Sequence, residues 1–442
     1  MARPARSARG FGVSLALLLL VGVFVGLTLA RVPIAFAMIV ASLAYLFAAG
    51  RDIGLAADQI LNTLYSNYVL LAIPMFMLAA NLMNAGSISD RLFEACHALV
   101  GRIRGGLAQV DVLVSVLFSS MSGSAMADAA GPGLVTIRAM GHAGYPRGFA
   151  AAIVAASATL GPIIPPSIPM ILYALIANVS VAALFLAGVI PGLMMAAVMM
   201  LVVYVTAVRR RFPLEARVSG MERRRRLLRA LAPLGMPVVL LGGIYSGKFT
   251  PTESAAVAAL YALVLAGAVY RELNTTKLLA VFVETSRQTA VILLMICGAF
   301  AINYAVTAEQ LDKALAAWIG GLGLSALGFL LTVNVVFLVL GCLIDATTML
   351  LVLVPVLIPS VMALKIDPVF FGVIIIFNVT IGLVTPPYGL LLFVLSALAK
   401  IPLREIIAES WGLIGALVAL LFVLVLIPDL VMFLPRWAGY LK

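Results

Sequence analysis

The chain reads as a succession of long apolar runs separated by short polar or charged breaks. Runs near 11–30, 34–49, 66–85, 149–177, 183–208, 231–246, 253–270, 288–306, 369–397 and 411–434 are predicted to cross, as helices, a hydrocarbon layer about 30 Å thick. Two further apolar stretches behave differently. Residues 106–141 are interrupted by Ser119-Ser-Met-Ser-Gly-Ser-Ala-Met-Ala-Asp128, and residues 322–365 by Gly341-Cys-Leu-Ile-Asp-Ala-Thr-Thr348. A small, polar, glycine-containing break exposes backbone groups that lipid cannot satisfy, so it must be buried in protein or line a wet cavity. Both stretches are predicted to be re-entrant helix–tip–helix hairpins.

The pattern repeats. Residues 161–166 read Gly-Pro-Ile-Ile-Pro-Pro and residues 382–387 read Gly-Leu-Val-Thr-Pro-Pro, both G-x-x-x-P-P inside a long apolar run. Each follows a polar hairpin tip, and each hairpin follows an amphipathic charged stretch, near 87–105 and near 307–317. Internal duplication of this kind sets the architecture. The predicted fold is an all-α polytopic membrane protein of two repeats, residues 1–208 and 231–442, joined by a basic linker at 209–230. The broken transmembrane helices are expected over about 149–177 and 369–397.

Composition supports a membrane environment. Of 442 residues 64% are hydrophobic and 11% charged, with a mean hydropathy of +1.18, against about 25% charged in an average soluble domain. The 29 Lys and Arg exceed the 18 Asp and Glu. Nine of the arginines fall between Arg209 and Arg229, between two apolar runs. That placement marks a cytoplasmic loop under the positive-inside rule rather than a nucleic-acid surface. With the linker inside, three crossings put the second hairpin at the outer face and the first at the cytoplasmic face, so the repeats are inverted. Arg3, Arg6 and Arg9 then lie outside, against the rule. The start of the chain resembles a signal peptide, but its apolar run is long and leads into further spans, so a retained first helix is expected.

The three cysteines (Cys96, Cys297, Cys342) have no metal or disulfide spacing, and His97 and His142 are the only histidines, which leaves little material for a metal centre or a catalytic triad. The helix breaks are the richer chemistry. In G-x-x-x-P-P the glycine permits an unusual backbone, while the prolines lack amide hydrogens and stop the helix, leaving upstream carbonyls unpaired. Carbonyls and helix C-termini suit a cation such as sodium, and helix N-termini suit a carboxylate. The tips add hydroxyls from Ser119, Ser120, Ser122 and Ser124, and from Thr347 and Thr348. Asp128 and Asp345 have two readings: an intramembrane carboxylate with a functional role, or an N-cap of the second hairpin helix. Capping is the preferred reading for both. Asn378 precedes the second motif by one helical turn and can face the site. Thr250-Pro-Thr-Glu253 reads as a helix start with a capping box.

The runs Gly144-Tyr-Pro-Arg-Gly-Phe-Ala-Ala-Ala152, Ala158-Thr-Leu-Gly-Pro-Ile-Ile-Pro-Pro-Ser-Ile-Pro-Met170, Thr250-Pro-Thr-Glu-Ser-Ala-Ala-Val257, Asp345-Ala-Thr-Thr-Met-Leu-Leu and Gly382-Leu-Val-Thr-Pro-Pro-Tyr-Gly389 resemble the large membrane subunit of tripartite ATP-independent periplasmic (TRAP) transporters. The likeness runs in order along nearly the whole chain; the first ten residues extend beyond it. It implies an elevator-type carrier of the bacterial inner membrane, working with a small four-helix membrane subunit and a periplasmic substrate-binding protein. It also implies a sodium gradient as driving force, with Na+ as the bound ion, and a small organic anion as substrate. The chain contains no G-x4-G-K-[ST] phosphate loop. Carried over by position, the first sodium site uses Ser122, Ser124, Gly161, Ile164 and Pro166. The second uses Gly382, Thr385 and Pro387 with Asp345 and Thr348 at the tip, mostly through backbone carbonyls. The anion is expected near Ser124, Asp128, Asp345, Thr347 and Asn378.

A stand-alone ion-coupled carrier of the same architecture competes with this reading, since only the motif wording favours a tripartite system. An intramembrane enzyme would need a His, Cys or paired-carboxylate constellation, for which two peripheral histidines and two separated aspartates are poor material. A channel leaves the paired hairpins unexplained.

Overall fold

The computed structural model describes residues 14–212 and 219–440, and all regular structure among them is helical. Arg3, Arg6, Arg9 and Arg217, with the signal-like start, lie outside the described residues. The first repeat opens with α1 (Leu15–Leu29), α2 (Ile34–Ala48), α3 (Gly54–Ser66) and α4 (Ala72–Ala85, extended by a 3₁₀ turn from Tyr68). Helix α3 has no counterpart in the hydropathy reading. Asp58, Gln59, Asn62 and Thr63 keep its apolar content low, and just ahead of it Asp52 Oδ1 accepts the Gly54 N–H at 2.8 Å. An arm, α5 (Ile88–Val100), leads to the hairpin of α6 (Gly106–Ser122), α7 (Ala125–Ala130) and α8 (Pro132–His142). The broken helix follows as α9 (Arg147–Ala158) and α10 (Ile168–Ala177), and α11 (Val181–Arg210) closes the repeat.

The second repeat has the same order. It comprises α12 (Gly220–Tyr245), α13 (Pro251–Val264, prolonged by a π turn to Val269), α14 (Thr275–Ala308) and the arm α15 (Leu311–Gly321). The hairpin of α16 (Ala326–Gly341) and α17 (Ala346–Ala363) follows, then the broken helix α18 (Pro368–Gly382) and α19 (Leu390–Ala399). Helices α20 (Leu403–Leu426) and α21 (Asp429–Trp437) end the chain. Helix α12 begins inside the basic stretch, so Arg223 to Arg226 ride on its first turns. The capping box at α13 forms as expected, Thr250 and Glu253 each bonding the other's backbone N–H.

Seven helical segments among the described residues are long and apolar enough to cross a membrane. The four halves of the broken helices are not: at 1.5 Å per residue the ten residues of α10 or α19 reach only about 15 Å. They must meet in mid-layer; α9, α10 and α18 are largely buried in protein, while α19 leaves Phe393 and Leu398 exposed.

The repeats interlock crosswise. Helix α2 packs on α14 and α4 on α13, each pair joining one repeat to the other. In each hairpin both arms lie on the first half of their own broken helix: α6 and α8 on α9, α16 and α17 on α18. The second halves cross over, with α10 on α17 and α18, and α19 on α7, α8 and α9. Two ties fix this exchange. The Tyr173 hydroxyl on α10 donates to the Pro368 carbonyl at 2.6 Å, and Arg147 at the start of α9 donates to the Ala399 carbonyl at 3.3 Å. The fold is therefore one of two inverted repeats, each with a hairpin and a broken helix.

Polar ties also hold the arms to the neighbouring spans. At the α5 arm, Glu272 accepts the Ser87 N–H and hydroxyl and lies 3.5 Å from Arg91, whose guanidinium sits 3.8 Å from the Tyr270 ring centroid. At the α15 arm, Glu309 accepts the Tyr45 hydroxyl at 3.0 Å, and Arg51 donates to the Tyr304 hydroxyl at 2.7 Å. Glu272 follows α13 and Arg51 follows α2 by the same three residues, so the two clusters are counterparts.

Candidate functional site

Each hairpin tip rests directly on the G-x-x-x-P-P turn of its own repeat. At the first tip, Gly123 takes a left-handed backbone (φ +62°), and a Cβ there would stand 2.4 Å from the Pro166 carbonyl oxygen. Across the same contact a Cβ on Gly161 would stand 2.9 Å from the Ser124 carbonyl carbon and the Ala125 nitrogen. Only glycine lets the two backbones approach this closely. At the second tip a Cβ on Gly382 would fall 2.8 Å from the Gly341 carbonyl oxygen, and Tyr388 N–H donates to the Cys342 carbonyl at 3.1 Å. Both Pro165-Pro166 and Pro386-Pro387 peptides are cis.

Of the first expected sodium set, Ser122, Ser124, Gly161 and Pro166 are brought together. Ile164 lies in the same turn, but its side chain leaves the tip and packs against Gly192 of α11. Among the described residues no hydrogen bond reaches the carbonyls of Gly161, Ile164 or Pro166. That leaves oxygen atoms free where prolines and a glycine have removed the donors. In the second set Gly382, Thr385 and Pro387 line one turn beside the tip of Asp345 and Thr348. Thr385 bonds back to the end of α18, donating to the Ile381 carbonyl at 2.7 Å. The Gly382 carbonyl accepts the Thr385 N–H at 3.2 Å, so it is less free than its counterpart at Gly161. The first turn is buried throughout, from Gly161 to Ile168, whereas Pro387 and Tyr388 of the second are exposed.

Asp345 caps α17, its carboxylate accepting the Thr347 and Thr348 N–H groups at 3.0 and 3.1 Å and the Thr348 hydroxyl. The capping reading fails for Asp128. Ser124 occupies the cap of α7, accepting the Ala127 N–H at 3.4 Å, and Asp128 lies within the helix. The serine wins because it stands at the residue where the chain first turns extended, φ −133° and ψ 120°. Asp128 is 1% exposed, and neither carboxylate oxygen has a hydrogen-bond partner among the described residues.

The residues expected around the anion are divided between the two repeats. Ser124 and Asp128 belong to one hairpin, Asp345 and Thr347 to the other. Asn378 is fully buried, its amide nitrogen donating to the backbone and side-chain oxygens of Asn334 at 2.8 Å each. One functional candidate escaped the sequence reading. Asp111, on α6, accepts the Ser157 hydroxyl at 2.6 Å and is 1% exposed. A lone Asp in an apolar run, with Ser115 and Ser119 following at four-residue steps, was the signal available.

The family profile described as tripartite ATP-independent periplasmic transporter, DctM component, matches residues 21–430. The sialic acid TRAP transporter large permease protein SiaM of Vibrio cholerae is 40% identical over 94% of this chain and 98% of its own length. The C4-dicarboxylate TRAP transporter large permease protein DctM of Pseudomonas aeruginosa is 41% identical over 84% of this chain and 87% of its own. The 2,3-diketo-L-gulonate TRAP transporter large permease protein YiaN of Escherichia coli K12 is 36% identical over 96% of this chain and 100% of its own. In fold the chain is similar to the crystal structure of the Alcanivorax borkumensis YdaH transporter, with a TM-score of 0.60 at 17% identity, covering 84% and 88% of the two chains. The chain thus belongs to the DctM component family of TRAP transporters, the large permease proteins of the bacterial inner membrane that work with a small permease and a substrate-binding protein.

Proposed function

We propose that this subunit carries small organic anions into the cell, driven by sodium and supplied by a periplasmic binding protein. The observation that carries the reading is the pair of hairpin tips seated on the two G-x-x-x-P-P turns, where backbone approach requires Gly123, Gly161 and Gly382. Sodium needs several hard oxygen ligands at once. The turn carbonyls of Gly161, Ile164 and Pro166, with Ser122 and Ser124, supply them at the first tip; Gly382, Thr385, Pro387, Asp345 and Thr348 supply them at the second. Ion binding clamps tip to turn and so completes the anion pocket between the two hairpins, near Ser124, Thr347 and Asp345. Ordering the site only when both are present couples the fluxes.

The relatives are named for sialic acid, C4-dicarboxylates and 2,3-diketo-L-gulonate, all carboxylate-bearing solutes, and a carboxylate suits the helix N-termini at the tips. The hairpins and broken helices form an elevator that slides against the frame of α2, α4, α13 and α14, and a small four-helix membrane subunit widens that frame. The test is uptake into vesicles holding both membrane subunits, with the binding protein outside. Uptake should require sodium and should fall at least tenfold on Ser122→Ala or Thr385→Val. Uptake indifferent to sodium sinks the coupling, and uptake by this chain alone would favour a stand-alone carrier.

A further inference from the structure

Helix α12 enters the membrane behind a dense block of positive charge. Between Gly220 and Arg229 it carries Arg223, Arg224, Arg225, Arg226 and Arg229 against a single carboxylate, Glu222. Glu222 pairs with Arg226 at 2.9 Å and lies 3.8 Å from Arg225. Arg223, Arg224 and Arg229 are exposed and have no ion pair among the described residues. Several other arginines on the side expected to be cytoplasmic have protein acceptors: Arg91 has Glu272, Arg147 has the Ala399 carbonyl and Arg210 has Glu409. The charges on α12 also stand at the unfavourable end of a helix. The backbone dipole is positive at an N-terminus, so cations there are disfavoured, as are like charges four residues apart such as Arg225 and Arg229. A bound anion relieves both penalties.

The shape of this face selects the anion. Met221, Arg224, Arg225 and Leu228 are spaced i, i+3, i+4 and i+7, and with Arg229 they line one shallow hollow on the helix surface. The same face continues along the helix through Leu231 and Val238, which are 61% and 71% exposed. Guanidinium groups therefore stand above a track of bare aliphatic side chains. The depth agrees. A hydrocarbon layer about 30 Å thick takes about 20 helical residues. Counted back from Tyr245, the last residue of α12, that span reaches Arg226. The arginines thus stand at headgroup level, with Leu231 and Val238 in the acyl layer. Free phosphate would meet the guanidinium groups and leave the apolar track uncovered. A phospholipid covers both.

We propose that this face of α12 binds an anionic phospholipid of the inner leaflet. Arg224, Arg225 and Arg229 hold the headgroup phosphate, and the acyl chains lie along Leu228, Leu231 and Val238. A guanidinium presents paired N–H donors that match phosphate oxygens. A zwitterionic headgroup would bring its own cation to the arginines, so an anionic one such as phosphatidylglycerol is preferred. Helix α12 packs on the α5 arm and on α13, so the lipid anchors a helix that supports the arm of the first hairpin. The site does not rest on the sodium and anion sites at the tips.

The test is photolabelling of the complex of both membrane subunits in nanodiscs, using phosphatidylglycerol with a photoreactive acyl chain. In the wild type the label should map to peptides within residues 221–239. A phosphatidylcholine probe with the same chain should label them several-fold less. Equal labelling by the two probes overturns the proposal, because the headgroup is then not being read. So does an absence of label from α12, which would assign the face to the small subunit. Excess inorganic phosphate should leave the labelling unchanged; loss of the label would assign the arginines to a free anion and overturn the lipid site. The variant Arg224→Gln/Arg225→Gln/Arg229→Gln should lose the preference for phosphatidylglycerol. Arg138→Gln/Arg287→Gln/Arg404→Gln, an equal loss of charge at exposed arginines on the same side, should keep it. Melting temperatures check that both variants fold. A folded first variant with the wild-type preference overturns the proposal. Equal loss in both variants also does, since it would reduce the effect to general attraction between a basic protein and an acidic membrane. Should the first variant not fold, the wild-type labelling alone decides.

Discussion

Ser157 and Asn378 occupy the same place in the two halves of this protein, each four residues before the glycine of its G-x-x-x-P-P motif. Each is also the residue through which the broken helix bonds its hairpin. Ser157 donates to Asp111 at 2.6 Å and Asn378 to Asn334 at 2.8 Å. The geometry is shared while the charge is not, so the two hairpins are mechanically alike and electrostatically different.

The Asn378 tie gives a direct stability prediction. Asn334→Ala leaves the Asn378 amide nitrogen without its side-chain acceptor, although the Asn334 backbone carbonyl remains. A buried polar group deprived of a partner costs about 1–3 kcal/mol, and the surviving backbone bond places the loss at the lower end. The melting temperature of the purified protein should fall. Asn334→Asp keeps an acceptor but adds a buried charge and should fall further.

Glycines at the tip contacts should tolerate nothing larger. Gly123→Ala places a methyl group 2.4 Å from the Pro166 oxygen at a positive φ, and Gly382→Ala places one 2.8 Å from the Gly341 oxygen. Backbone cannot retreat as a side chain can, so each should cost roughly 1–3 kcal/mol. Gly412 on α20 has open space around it, and Gly412→Ala should leave the melting temperature unchanged or slightly raised. A wild-type melting temperature for Gly123→Ala would contradict the seated tip.

Asp345 allows capping to be separated from ion binding. Asp345→Ala removes acceptors for Thr347 and Thr348 and should cost about 1 kcal/mol. Asp345→Asn keeps a good cap and should restore the melting temperature. If the carboxylate also faces sodium, the Asn variant will need a higher sodium concentration for half-maximal uptake.

Glu272 sets a pH dependence outside the membrane. Burial works to raise its pKa, but the Ser87 hydroxyl and N–H and the Arg91 guanidinium outweigh it, holding the carboxyl below the ordinary glutamate range. A depressed folded-state pKa contributes stability that is present above the unfolded value and lost as pH falls through the folded one. Glu272→Gln should therefore melt below wild type at neutral pH, by the equivalent of about 1 kcal/mol. The difference should close as pH drops below the normal carboxylate range. A gap constant with pH would mean that the charge does not hold the α5 arm.

Much of the architecture was legible in the chain itself. Lipid solvent forces helices, so runs of apolar residues become spans, and a break such as Gly341 to Thr348 or Gly161 to Pro166 is written in residue types that cannot continue a helix. Thr250 with Glu253 and the cap at Asp345 were readable because capping is local. Helix α3 was not readable, because its polar residues hide it from hydropathy.

What the sequence determined by itself, then, was the membrane setting, the duplicated order of arm, hairpin and broken helix, and the positions where the backbone must open. These follow from short-range chemistry and from the solvent. Only the tertiary structure decided which side chains meet across the repeats and within the hairpins. Asp128 was a cap by spacing and became a carboxylate buried within α7, because Ser124 took the cap. That outcome depends on how α6, α7 and α9 pack, a relation between residues far apart in the chain that no local pattern encodes.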